Sequence, residues 1–589
     1  MQEPTNKINL IDWKSALSPS AAAVLAPALV CLLYIFVRWQ FVQTWATNDD
    51  VGLSLISSGN GWASSPDAHL MFTNIAIGFI LSQLYLLTSH VPWYGYYMVA
   101  VNLLALIGLS YSLLIGRSIQ AGLFAVGILF CIIGLPNLCA MQFTTNSAIL
   151  GLAGFAVIVA WWEQQMEKPD RLSFNEPILG SLIMVISSLV RYQSFLMMFV
   201  LGTLFFVIRI APDLKQLTNN KNLTALKTLL VSAAVTFIVA TVAYQANIWS
   251  YGHTKGWSDF YRANTLLANF VDFGFGSDCS PTSRVTAEQA AGWSDNDLSM
   301  LQNLFCFNTD IYSTEKMETV SNHLRGTRVS SVQGIFTELR TDLESMPLRP
   351  FIYISVFLFI FPQNRSFRYW QSLLLLISIL GISIVLMVCF KLAPHVYKAI
   401  AAFWIFIPLF YFHRPVINPM PRWRKALTMA SCLIITGILG FQAVVNCQTL
   451  SQNVMVRNAE FRAALKLLRR DKPLLLLTWR EFFPYERILP FDNLSQNFGN
   501  IRILPLAFRA DSALTLKTME LCNMTLSQFS EKLLQNNTYL VSAPDLNILM
   551  QKHLKEHYKL DVDITVTQSG QTVVPLYAVH RSKTVSLAP

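Results

Sequence analysis

The most chemically loaded stretch of the chain is Asn48-Asp49-Asp50, directly after the first long apolar run. Two adjacent carboxylates at the water-facing end of a membrane helix must be solvated, paired or put to use, because an ionised group close to hydrocarbon is costly. They can also serve a helix start, where carboxylates accept backbone N–H bonds. A second charge interrupts an apolar run: Arg191 lies inside Ile178–Ile210, where it prefers an aqueous cavity to lipid, though it can also pair with a buried acid or snorkel from a helix end. Two more cations, Lys391 and Lys398, bracket His395 between apolar runs; such residues often touch headgroups at span ends. Asp67 and His69 supply two metal-ligand types without a clear third, too few for a metal site. Asp295 and Asp297 lie in a turn-rich stretch and read as caps of the following helix.

These residues need a scaffold, and composition names its class. The chain has 589 residues, 53% hydrophobic and 13% charged, with mean hydropathy +0.43. A soluble domain carries nearer a quarter charged residues, so this chain buries apolar surface in a lipid bilayer. Its formal charge of +10 sits mostly in short loops between apolar runs, as positive-inside topology requires, and forms no basic stripe with interleaved aromatics. That excludes a nucleic-acid partner. The nine cysteines form no C-x-x-C pair; Cys279 and Cys306, in one polar loop, leave a disulfide open if that loop faces an oxidising compartment.

At about 20 apolar residues per span, the runs are Ala22–Phe41, His69–Thr88, Tyr94–Gly116, Ala121–Leu138, Ser147–Trp162, Ile178–Ile210, Leu226–Ala246, Phe351–Pro362, Gln371–Phe390, Ala399–Phe412 and Ala426–Val445. The basic clusters fall on one side only if His69–Thr88 is a juxtamembrane helix and Ile178–Ile210 crosses twice, breaking at Arg191. The expectation is therefore an α-helical polytopic membrane protein of about eleven spans, N-terminus cytoplasmic, with a small extracytoplasmic α/β domain at its C-terminus. The membrane part is 1–446 with outer loops 42–68 and 247–346, and the soluble part is 447–589. In the latter, Pro473–Thr478, Ile501–Pro505 and Thr538–Ser542 read as strands, and 526–535 and 546–558 as helices.

An acidic pair after the first span, a juxtamembrane helix, many spans, a large outer loop and an appended outer domain together resemble the polytopic GT-C glycosyltransferases. Asn48-Asp49-Asp50 is the sharp motif. The segment Gly59–Tyr94, with Ser65-Pro-Asp67, His69 and Pro92-Trp-Tyr94, also resembles uncharacterised bacterial members of that group. The resemblance implies transfer of a sugar from a polyprenyl-phosphate donor to a glycan, lipid or protein acceptor at the outer face of a bacterial inner membrane, in cell-envelope glycan assembly. It makes Asp49 the general base, with Asp50 able to exchange roles with it or orient it. Arg191, Lys391, His395 and Lys398 become candidates for the donor phosphate. Asp67, His69 and Asn146, the last in the hydroxyl- and amide-rich Met141–Asn146 segment, become candidates for substrate contact. No cofactor and no metal are expected, although some members of that superfamily need a divalent cation. The rival reading is a transporter or flippase of a lipid-linked or polar substrate. Against it stand the gathering of polar residues on one face, the absence of an internal repeat and the appended domain.

Overall fold

The computed structural model describes residues 16–63, 65–167, 173–211, 220–271, 275–276, 279–325, 369–389, 394–411, 422–468, 473–480, 487–567 and 576–582. The fold is mostly helical, with a small C-terminal sheet. Six helices among the described residues are long and apolar enough to cross a membrane: Pro19–Gln40, Trp93–Leu114, Ile119–Cys139, Phe143–Glu167, Tyr192–Ile210 and Asn222–His253. Shorter apolar helices are Ile75–Leu87, Asn175–Val190, Leu373–Leu386 and His395–Tyr411. The run Phe351–Pro362 lies outside the described residues.

Phe143–Glu167 is the axis of the bundle, with its most apolar window wholly buried, against 22% for the windows of Pro19–Gln40 and Asn222–His253. It packs closely on Asn175–Val190 because small residues line the contact. A Cβ at Gly154 would stand 2.5 Å from the Gly180 carbonyl oxygen, and Ser147 Oγ donates to the Ser187 carbonyl at 2.9 Å. Apolar surface on both sides of a membrane helix gives no preference between protein and lipid, so such close backbone approach is what holds neighbours together. The outward faces keep large apolar side chains exposed, among them Leu32, Ile35, Leu182, Val207, Val231 and Phe441.

Two readings of the apolar runs meet the geometry directly. The helix within 69–88 is Ile75–Leu87, 13 residues, about 20 Å long and short of the roughly 30 Å hydrocarbon core. The run 178–210 breaks at Arg191, whose backbone is extended (φ −157°, ψ 108°) between Asn175–Val190 and Tyr192–Ile210.

At one end of the bundle, basic residues are buried rather than solvated. Arg209 pairs with Glu163 at 2.7 Å, and Tyr411 donates to the same carboxylate at 2.8 Å. Arg117 donates to the Leu409 and Phe410 carbonyls, which close the Pro394–Tyr411 helix. The opposite ends of these helices carry Trp93, Phe143, Arg191 and His395.

The C-terminal sheet has β3 (Leu474–Thr478), β4 (Ile501–Pro505), β5 (Thr538–Val541), β6 (Val562–Val566) and β7 (Leu576–Arg581) in the order β4-β3-β5-β7-β6. The β3–β4 and β3–β5 pairs are parallel, and β5–β7 and β6–β7 antiparallel. The uninterrupted Leu474–Leu477 run follows from burial on both faces. Leu474 and Leu476 join the membrane-side core, while Leu475 and Leu477 join the core shared with the 247–325 loop. The helix Arg422–Leu468 passes through position 446 without a break, so the last apolar run and the start of the C-terminal part are one rod. Cys279 and Cys306 are free thiols, not a disulfide: Cys306 Sγ donates to the Ala507 carbonyl and Cys279 Sγ to that of Gly276.

Candidate functional site

A parallel pair of two-residue strands, β1 (Thr44–Trp45) and β2 (Ala140–Met141), fixes the path of the chain after the first helix. It delivers Asn48–Ser58 as an 11-residue helix with both carboxylates in its first turn, where the helix dipole favours negative charge. Successive residues on a helix point about 100° apart, so the two acids part company. Asp49 is exposed and, with Asn48 and Gly52, lines a cavity of about 790 Å³. Asp50 is fully buried and absent from that lining. It accepts hydrogen bonds from Tyr94 Oη at 3.0 Å and Thr47 Oγ1 at 3.2 Å. Burial, then the neighbouring Asp49 charge, push the Asp50 carboxyl well above the usual carboxylate range, so it favours the neutral, proton-bearing form.

The cavity lies between the bundle end, the 247–325 loop and the C-terminal sheet. Arg191, set there by the helix break, faces it with His395, the second residue of the Pro394–Tyr411 helix. The Arg191 guanidinium carbon stands 4.9 and 5.1 Å from the ring centroids of Phe72 and Phe143, an arrangement that holds a cation by the ring quadrupoles without neutralising it. Its Nε is buried without a hydrogen-bond partner, and Arg191 and the Asp49 carboxylate attract each other.

The loop contributes Tyr261, Asn264 and Asn269. Trp62 and Phe508 supply an apolar wall, their ring centroids 4.6 Å apart. The sheet presents Thr478, Arg480 and Pro505 from the carboxyl ends of β3 and β4, the edge where open parallel sheets bind ligands. Arg480 was not singled out from the sequence. It holds a left-handed backbone (φ 65°) two residues after the end of β3, unusual for a side-chain-bearing residue and a common mark of functional positions. Its only sequence signal is a charge following an apolar strand.

The other sequence candidates are placed elsewhere. Asn146 is fully buried within the bundle, accepting from Asn137 Nδ2 at 2.9 Å. Phe143 and Thr144, not Asn146, reach the cavity, because the helix starts at Phe143 and turns Asn146 inward. Lys398 is exposed but absent from the lining, one turn further along its helix than His395. Lys391 lies outside the described residues. Asp67 and His69 form a pair beside the cavity rather than on its wall: His69 Nδ1–H donates to Asp67 Oδ1 at 2.8 Å, and the ring stacks on Trp257 at 4.7 Å. Burial works against the Asp67 charge, but the His69 hydrogen bonds and the His69 and Lys517 charges outweigh it and hold the carboxyl below its usual value. His69 Nε2 is buried with no hydrogen-bond partner.

Among the described residues, one group of three side chains has the types and spacing to hold a metal ion, Asp297, His553 and His557. None of the three lines the cavity. The cavity thus opposes one exposed carboxylate to cationic side chains at one end of the helix bundle, an arrangement suited to moving a proton at one end of a substrate while holding an anion at the other. No family model, no curated protein and no solved structure matches the chain.

Proposed function

We propose that the chain is a GT-C-like glycosyltransferase of a bacterial inner membrane, moving a sugar from a polyprenyl-phosphate donor to a glycan, lipid or protein acceptor. The observation that carries this reading is the convergence of Asp49 and Arg191 on one cavity, although 141 intervening residues separate them in the chain. On this reading the chain crosses the membrane eleven times, with the N-terminus cytoplasmic and the cavity and C-terminal domain extracytoplasmic.

Asp49 accepts the proton of an acceptor hydroxyl as its oxygen attacks the anomeric carbon. The new glycosidic C–O bond forms as the sugar–phosphate C–O bond breaks, and the leaving lipid phosphate takes that electron pair. Arg191, with His395 and Arg480, meets the growing negative charge. The Trp62–Phe508 wall offers an apolar face to the sugar ring, and Tyr261, Asn264 and Asn269 offer it hydrogen bonds. An apolar groove of about 320 Å³ lined by Phe155, Met184, Phe199 and Phe206 suits the prenyl tail. Phe199, eight residues from Arg191 on one helix, lies about 12 Å along it.

The test uses full-length protein in lipid nanodiscs with radiolabelled polyprenyl-phosphate sugars and an envelope acceptor fraction, comparing wild type with Asp49→Asn. Label transferred by wild type but not by Asp49→Asn, with donor still bound, supports the reading. Donor bound but never transferred, with movement across liposomes instead, replaces it with a transporter.

A further inference from the structure

A second polar cluster lies where the 247–325 loop meets the C-terminal domain. Asp297 stands in the first turn of the Asp295–Gln302 helix, and its two oxygens divide their work. Oδ2 accepts from Ser294 N–H at 2.9 Å and Ser294 Oγ at 3.1 Å, closing a capping box. Oδ1 faces the Pro544–Tyr558 helix, 2.8 Å from His557 Nε2 and 3.7 Å from His553 Nδ1. His553 and His557, four residues apart, share one face of that helix.

Capping and the His557 hydrogen bond account for Asp297, but they leave His553 unexplained. It is fully buried, and neither ring nitrogen has a hydrogen-bond partner. Phe305 and Tyr312 flank the ring. A buried polar group in a folded protein is normally satisfied, yet the nearest approach to this imidazole is the Asp297 oxygen at 3.7 Å, too far for a hydrogen bond and open to a bridging ion.

The three ligand atoms lie within 4.8 Å of one another. Tetrahedral bonds of about 2.0–2.2 Å place donor atoms roughly 3.4 Å apart, inside the span these atoms already occupy. We propose that Asp297, His553 and His557 bind a zinc-type transition-metal ion that clasps the loop to the C-terminal domain. Two imidazoles and one carboxylate favour zinc or a neighbouring transition ion over calcium or magnesium, which take oxygen ligands, and over copper(I), which takes sulfur. Solvent reaches the exposed His557, leaving a fourth position for water. The site stands apart from the cavity and holds whatever reaction occurs there.

The experiment uses full-length protein without a histidine tag, stripped with chelator and titrated with cobalt(II), then zinc(II). The expected result is one equivalent bound with the intense visible absorption of tetrahedral cobalt, bleached by zinc, and a zinc-dependent rise in Tm. His557→Ala, at an exposed position, should weaken binding by more than the about 10–100-fold that loss of an outer hydrogen-bond partner to a ligand costs. Asp297→Asn keeps the helix cap and should also abolish the tetrahedral spectrum, whereas Lys555→Ala should leave it unchanged. Absence of the spectrum in stripped wild type that retains its fold overturns the proposal, as does unchanged affinity in His557→Ala.

Discussion

Asp49 and Asp50 are adjacent in the chain but occupy opposite environments: Asp49 opens onto the 790 Å³ cavity, while Asp50 is sealed beneath it, 3.0 Å from Tyr94 Oη. Position in the first helical turn separates a group able to exchange protons with a substrate from one that holds the turn in place. Asp49→Asn should therefore lower transfer by about 10²–10⁴-fold, the range for loss of a general base, with Tm unchanged. Asp50→Asn should retain most of the activity. Initial rates and Tm on the same preparations separate the two; equal losses would place both acids in the chemistry.

Asp50 also makes stability depend on pH. Its carboxyl is pushed up by burial and by Asp49, so the folded state holds the proton more tightly than the unfolded chain. Its contribution is complete below the ordinary value of 3.8 and is lost as pH rises through the higher folded value. Asp50→Asn, permanently neutral, should flatten the fall of Tm with rising pH, its advantage over wild type growing as pH rises from 3.8 toward the higher folded value. A Tm–pH curve parallel to that of wild type would contradict this.

Arg191 rests on Phe72 and Phe143 with its Nε unsatisfied, so it is held without being neutralised. Arg191→Gln should weaken binding of a sugar-free polyprenyl phosphate by about 1.5–3 kcal/mol, the worth of hydrogen bonds to a charged group. Arg191→Lys should recover only part of this, because an ammonium lacks the planar fork. Calorimetric titration in nanodiscs reads both values, and undiminished affinity in Arg191→Gln would remove it from the donor site.

At the far end of the bundle the Glu163–Arg209 pair is nearly sealed, with side chains 1% and 5% exposed. Removing one partner strands the other charge, so Arg209→Met should cost about 3–5 kcal/mol. Adding Glu163→Gln to it should restore much of that loss, since the stranded charge is then gone. Thermal unfolding of the single and double variants in one detergent provides the cycle.

Much of the scaffold was legible because it rests on local rules. A charge in an apolar run marked the break at Arg191, and the apolar run Pro473–Thr478 read as a strand, which the structure forms over Leu474–Thr478 with every residue buried. The run 69–88 was set apart from the spans by the placement of the basic clusters, and its helix, Ile75–Leu87, is only 13 residues long. What escaped depends on partners far away in sequence. Nothing near Asp50 reveals that Tyr94, 44 positions later, will seal it. Asn146 read as part of an accessible turn, yet Asn137 and the start of the helix at Phe143 draw it inward. Arg480 looks like any surface arginine until its left-handed backbone and its place at the end of β3 are known. The cysteines fell to the same limit, since spacing in a loop carries no information about which carbonyl each thiol will meet.

The rod Arg422–Leu468 has a consequence for how the two halves are aligned. Its 47 residues extend about 70 Å. On the way Ser451 Oγ accepts from Val42 N–H at 2.7 Å, and Asn458 Nδ2 donates to Asp492 at 2.9 Å. A flexible tether would let the C-terminal domain search for its seat, but a continuous helix dictates its angle as a shaft dictates the angle of a wheel. Removing one residue between Ser451 and Asn458 would shorten the shaft by only about 1.5 Å but turn everything beyond it through about 100°. Arg480 would swing away from the cavity it shares with Asp49, and the Ile503 N–H would leave the Gly61 carbonyl to which it donates at 2.9 Å, with every side chain of both halves intact.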